Sequence, residues 1–326
     1  MTEKKIVVYS PASIANVGPG FDSFGIALKG IGDTVTISTN TEDSIYLDVK
    51  GRGSKEIPRH PEKNSSGAVA KFVKEKFNRT QGFNIIIDKG IEPGKGLGSS
   101  GASAAATAYG INVLLDMKLS RARLIHTAAM GEASVSGSPH ADNVTASLLG
   151  GFTVVNSEYN AIKLPPPKVK MALVTPIIEL GSEKTRRTRG VLPKTVEFKT
   201  AMKQMSYASL LVASVATGDI KMFGKCVRDI IIEPRRAKLI PGFNKVKKAA
   251  LDAGAYGCSI AGGGPSLFAI GKDALKISKA MSEAFVSVGV KCEPRIVEPT
   301  PEGSKIVSKN FPISKKEEPQ KVRPLS

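Results

Sequence analysis

Residues 94–110 read GKGLGSSGASAAATAYG, with five glycines, three serines and five alanines in one short stretch. The glycines permit positive φ and close backbone approach, and Ser99 and Ser100 supply hydroxyls. The alanines fit a helix over 103–115 whose small side chains pack closely on a sheet. The N–H groups and positive dipole at the start of such a helix attract an anion, so the chemistry points to phosphate. Taken alone, the stretch reads equally well as a glycine turn in front of a packed helix. Gly96, Gly98 and Gly101 also spell G-x-G-x-x-G. A dinucleotide-binding turn, however, needs a strand running straight into the glycines and an acidic residue on a second strand about 20 positions later. Here 89–95 intervene and Asp116 stands at a helix end, so that fold is set aside. No G-K-[ST] follows the glycines, which sets aside a Walker A loop as well.

Upstream, KKIVVYS reads as a buried strand entering the turn-rich PASIANVGPGFDSFG. GIAL, DTVTIST and SIYLDV read as short strands of an antiparallel sheet. NSSGAVAKFVKEKF has helical spacing, with Asn64 as N-cap, and FNIIID is the next strand. Downstream, a helix is expected from Ser120, and GGFTVV returns to strand. KLPPPKVK, residues 163–170, is the best linker, because consecutive prolines exclude helix and interior strand. The second half alternates strands (MALVTP, YGCSI, SLFAI, VKCEPRIV) with helices. This pattern predicts an α+β layer with helices on one face of an antiparallel sheet.

At 326 residues, with 41% hydrophobic and 23% charged residues, the chain suits two globular domains. No stretch has the length of a membrane helix, and MTEKKIVVYS lacks a long apolar leader, so a cytoplasmic location without membrane association is expected. Cys226, Cys258 and Cys292 stand far apart, against a zinc site or a disulfide framework, and only three histidines are present, against a histidine-rich metal centre. The net charge of +18 raises the possibility of nucleic-acid binding. Its lysines are dispersed, and part of the excess lies in the terminal EGSKIVSKNFPISKKEEPQKVRPLS, so a solvated face and a disordered basic tail over 303–326 are expected instead.

Four segments in order, PASIANVGPGFDSFG, GKGLGSSGASAA, GEASVSGSPHADNV and AGGGPS, resemble the GHMP kinase superfamily over roughly residues 5 to 300. TRRTRGVLPK and IEPRRAKLIP are similar to its homoserine kinase branch. The resemblance implies a two-domain GHMP kinase fold of the α+β class. A ribosomal-protein-S5-domain-2-like, ATP-binding N-terminal domain would span 1–162, and a ferredoxin-like C-terminal domain 168–302. It also implies ATP and Mg²⁺ as cofactors, L-homoserine as the small-molecule substrate, O-phospho-L-homoserine for threonine biosynthesis as product, and a possible homodimer. Kinases of the mevalonate, shikimate or pantoate type, and a non-catalytic basic RNA-binding protein, are the alternatives.

The site residues implied by the resemblance can each be weighed on their chemistry. The phosphate loop is Gly94, Lys95, Gly96, Leu97, Gly98, Ser99, Ser100 and Gly101, although Glu92 at its entry is less typical. Asn64 resembles an adenine-pocket residue. Ser100 and Glu132 would form the hard-oxygen pair that Mg²⁺ prefers. An amino-acid substrate needs a carboxylate for its ammonium and donors for its carboxylate. Asp22 would take the first and Asn16 assist with the second, though Asx-turn chemistry accounts for either residue alone. Arg189, with Thr185 nearby, and Arg236 would grip the substrate carboxylate. His140 and Gly263 are further substrate-binding candidates. Asn143 stands where several branches carry an aspartate. An amide is no base at neutral pH, so Asn143 is expected to orient the hydroxyl, with the proton passing to the phosphate.

Overall fold

The computed structural model describes residues 4–137, 139–178, 188 and 190–310. The first half comprises β1 (Lys5–Ala15), β2 (Phe24–Asn40), β3 (Ile45–Gly51), α1 (Ser65–Lys76), β4 (Gly82–Lys89), α2 (Ser99–Leu114), α3 (Arg121–Ser136), α4 (Ala141–Leu149), β5 (Phe152–Val155) and β6 (Ala161–Leu164). The second half comprises β7 (Met171–Pro176), α5 (Phe198–Thr217), α6 (Ile220–Cys226), α7 (Glu233–Arg236), α8 (Phe243–Asp252), β8 (Ala255–Ile260), β9 (Leu267–Gly271), α9 (Ala274–Val286), β10 (Cys292–Val297) and β11 (Lys305–Asn310).

One sheet runs β11-β1-β2-β4-β3, with β5 added to β2 and β6 to β5; the other runs β10-β7-β9-β8. Numbered within its own half, the second sheet has the order 4-1-3-2 of a ferredoxin-like βαββαβ layer. Together the two sheets and their helices make a two-domain α+β architecture.

Several local expectations change. β1 continues through Pro11 to Ala15, and the turn begins only at Asn16. The proline is tolerated because the β1–β2 register shifts between Pro11 and Ser13, a bulge where a ladder donor is dispensable. GIAL and DTVTIST are one strand, β2, which pairs β5 near its start and β4 near its end. β3 and β4 run parallel, because α1 carries the chain across the sheet between them. The expected tail from 303 is also corrected. Residues 305–310 form β11, which pairs antiparallel with β1. Its lysines and scant burial are those of an edge strand, and such a strand reads as tail in sequence. The rest of the expected tail, 311–326, lies outside the described residues.

α2 is buried along most of its length and packs on β1 and β2. Gly110 explains the closeness, since a Cβ there would lie 2.5 Å from Ile37 Cδ1 and 3.2 Å from Val8 Cγ2. The second sheet has helices against both faces, contrary to the one-faced layer expected. Ala172, Val174, Leu267 and Ala269 meet α8 and α9 through Phe243, Val246, Met281 and Phe285. Leu173, Phe268 and Ile270 face α5 and α6 through Leu211 and Phe223, in one cluster with Ile14, Phe24 and Leu97 of the first half. A strand buried on both sides has no polar face, and MALVTP shows none.

Candidate active site

A cavity of about 1300 Å³ lies between the halves. Gly94, Lys95, Gly96, Gly98, Ser99 and Ser100 form part of its wall, and Gly94, Gly96 and Gly98 all have positive φ. α2 starts at Ser99, four residues earlier than its composition suggests. Tertiary bonds override the poor propensity of the Ser-Ser-Gly turn: Ser99 Oγ donates to Ile91 O (2.9 Å), and Ser99 O accepts from Lys89 Nζ (2.8 Å). The N-cap, Gly98, offers no side-chain acceptor. α1 and α3, in contrast, are capped by Asn64 Oδ1 and Ser120 Oγ. The start of α2 is therefore suited to an external anion, because its first-turn N–H groups have no capping side chain. Leu97 and Gly101 do not line the cavity. Leu97 belongs to the core cluster, and a Cβ on Gly101 would press on Asn143 Cβ at 3.0 Å. At the loop entry, the unusual Glu92 pairs with Lys95 (3.1 Å).

Asn64 lines the cavity and also caps α1: its Oδ1 accepts from Ser66 N (3.0 Å) and its Nδ2 donates to Pro58 O (2.9 Å). Ser100 Oγ donates to Glu132 Oε2 (3.0 Å), bringing the starts of α2 and the body of α3 together. Glu132 is 5% exposed, and burial pushes its carboxyl up to about 7, opposed by the Ser100 hydroxyl and the Lys89 charge. Asn143 and His140 sit at the start of α4. Asn143 Oδ1 accepts from Ser13 Oγ (2.9 Å), and His140 occupies the N-cap position on the cavity wall.

Asn16 and Asp22 bracket a turn in which both have positive φ. Asn16 Nδ2 donates to Gly262 O (2.9 Å), and its Oδ1 accepts from Asp22 N (3.0 Å). The amide thus holds the turn that carries Asp22 against the AGGGPS loop. Arg236, 7% exposed, donates from Nη1 to the same Gly262 O (3.1 Å) and from Nε to Thr188 O (3.4 Å). Its guanidinium carbon lies 5.3 Å from the Phe21 ring centroid. Gly263 lines the cavity beside it. Thr185 and Arg189 lie outside the described residues.

Four features escape a reading of the sequence alone: the cavity-lining Asp142, Thr188 and Lys89, and the buried Asp33 that pairs with Lys89 beneath the phosphate loop. Asp142 is 2% exposed, and burial, followed by the charge of Asp22, pushes it up to about 7; the Asn143 N–H and Arg236 pull the other way. Free aspartate titrates near 3.8, so the folded state binds this proton more tightly than the unfolded chain. The stability it contributes is full below about pH 4 and lost as the pH rises through about 7. Asp142→Asn should therefore flatten the fall in Tm of the ligand-free protein over that range, leaving the smaller slope due to Glu132. An unchanged slope would show that Asp142 is ionised throughout.

Among the described residues no helix is long and apolar enough to cross a membrane.

The chain matches the family model for the GHMP kinases N terminal domain over 64–151 and that for GHMP kinases C terminal over 210–287. It is 40% identical to homoserine kinase of Methanococcus vannielii over 82% of this chain and 88% of that one. It is 41% identical to homoserine kinase of Natronomonas pharaonis over 88% and 94%. The crystal structure of homoserine kinase from Cytophaga hutchinsonii superposes with a TM-score of 0.84 at 36% identity, covering 93% of this chain and 97% of that chain. An anion-ready helix start, a second glycine loop on the wall of the same cavity and near-full-length similarity to such enzymes agree: this chain belongs to the GHMP kinases, ATP-dependent enzymes that phosphorylate a hydroxyl, in their homoserine kinase family.

Proposed function

We propose that the protein transfers the γ-phosphoryl group of ATP to the side-chain hydroxyl of L-homoserine, giving O-phospho-L-homoserine for threonine biosynthesis. The observation that carries this reading is that the uncapped start of α2, the acidic Asp22 and the cationic Arg236 line one cavity. A triphosphate suits the first, an ammonium the second and a carboxylate the third, and homoserine has both of the latter groups.

In this reading the amides of 94–101 and the α2 dipole hold the phosphates, and the wall at 57–64 borders the base. Asp22, oriented by Asn16, takes the substrate ammonium. Arg236, with Arg189 and Thr185, takes the carboxylate, while His140 and Gly263 close the pocket around it. Ser100 Oγ and Glu132 Oε2 are hard oxygen donors 3.0 Å apart, a donor set that fits Mg²⁺, and these two residues would hold it. When bound, the ion would neutralise charge on the phosphate oxygens. Asn143 orients the acceptor hydroxyl, its own Oδ1 being fixed by Ser13. Its amide cannot take the hydroxyl proton, which passes to the transferred phosphate. A loose phosphoryl-transfer transition state makes little demand for a strong base, so positioning and charge neutralisation suffice.

A coupled assay of ADP release over a panel of alcohols tests the assignment. L-Homoserine should exceed mevalonate, shikimate and pantoate in kcat/KM by about 10³-fold or more, since each lacks the ammonium that Asp22 would bind. Preference for one of those acids would remove the homoserine assignment and leave the family intact.

A further inference from the structure

We propose that Asp33 on β2 and Lys89 at the end of β4 are positioning residues for the nucleotide, fixing both ends of the phosphate loop from beneath. The inference rests on the ATP-binding role proposed for that loop.

Both side chains are buried, Asp33 at 0% and Lys89 at 4% exposure, and they form an ion pair. At the loop entry, Asp33 Oδ1 accepts from Gly90 N and Ile91 N, both at 3.1 Å. At the exit, Lys89 Nζ donates to Ser99 O (2.8 Å) and Ser103 Oγ (2.9 Å). Ser103 Oγ in turn donates to Asp33 Oδ2 (2.8 Å). One carboxylate thus holds the entry, one ammonium holds the first turn of α2, and the ion pair joins them.

A buried ion pair is a poor device for stability alone, because desolvation of both charges offsets most of their attraction and an apolar pair of similar volume serves as well. What an apolar pair cannot do is bond four separate groups at the two ends of a glycine-rich loop. Glycines lower the cost of close approach but leave the backbone many alternative conformations. A fixed set of charge-assisted bonds selects the one whose amides converge on the phosphates.

The test compares wild type with Lys89→Met/Asp33→Asn, which removes both charges together, and with Ser103→Ala, which leaves the ion pair and removes the two hydrogen bonds that tie it to Ser103 of α2. Steady-state KM values for ATP and L-homoserine, kcat, calorimetric binding of ADP and Tm are measured on each. For the double variant the KM for ATP and the Kd for ADP should rise about tenfold or more, with a fall in kcat, while the KM for L-homoserine stays within about twofold. Ser103→Ala should show the same one-sided change at about threefold. A folded double variant with a lower Tm but wild-type affinity for ATP and ADP overturns the proposal and leaves the pair merely structural. If the double variant does not fold, Ser103→Ala decides on the same criterion. Failure of wild type to bind ADP would instead reject the nucleotide-binding reading itself.

Discussion

Glu132→Gln should give a protein that is more resistant to heat near pH 8 yet slower in kcat by about 10²- to 10³-fold. The two effects share one cause. Burial raises the Glu132 carboxyl from 4.5 to about 7, so in the free enzyme above that pH a charge sits in a largely desolvated place. A raised carboxyl pKa in the folded state is stability that is present below about pH 4 and lost as the pH passes about 7. Glutamine has no such titration and still accepts the Ser100 hydroxyl through its amide oxygen, so Tm at alkaline pH should rise by a few degrees. The lost anion is the one that a divalent cation at Ser100 would need, hence the fall in turnover. Measured Tm and kcat moving down together would mean that Glu132 is chiefly a packing residue. Unchanged kcat would remove it from the phosphoryl-transfer site.

Arg236→Ala should raise the KM for L-homoserine by about 10²-fold while leaving the KM for ATP within about twofold. The magnitude follows from removing one partner of a desolvated charge pair, which leaves the substrate carboxylate facing a cavity without its planar fork. Part of the loss comes through Gly262, whose carbonyl would keep only the Asn16 amide as partner of the two donors it now accepts from. Arg236→Lys separates the two contributions: a lysine restores charge but not the paired geometry over Phe21, so recovery should be partial. Equal rises in both KM values would point to collapse of the loop around Gly262, and an unchanged homoserine KM would mean that the arginine is misassigned.

The parts of this fold legible in the sequence are those specified by near neighbours. The α1 cap at Asn64, the α3 cap at Ser120, the strands YGCSI and SLFAI and the long α9 helix follow from spacing and capping chemistry within a dozen residues. The errors arise where distant segments override local preference. PASIA looks like a turn because of its proline, yet β2 gives it a partner on either side of a bulge. The lysine-rich 305–310 looks like tail until β1 presents an edge to it.

The candidate site divides in the same way. Glycine-rich loops announce themselves, because few uses of the backbone need so many residues without a Cβ. Asp142 and Lys89 do not, because a lone acid at a helix start and a lone base at a strand end are ordinary surface residues in most chains. Asn16 reads as a ligand residue, but its amide is bonded at both ends to backbone.

By itself the sequence determines most of the helices and strands, where phosphate is welcome and to which family the motifs point, since these depend on local chemistry and ordered patterns. Tertiary structure alone decides that residues 33, 89, 99 and 103 share one buried network, and that 16 and 236 meet on a single carbonyl of 262. Those contacts join side chains separated by tens to hundreds of positions, and only the closing of two sheets around a cavity, with the burial that it imposes, gives them partners and shifted charges.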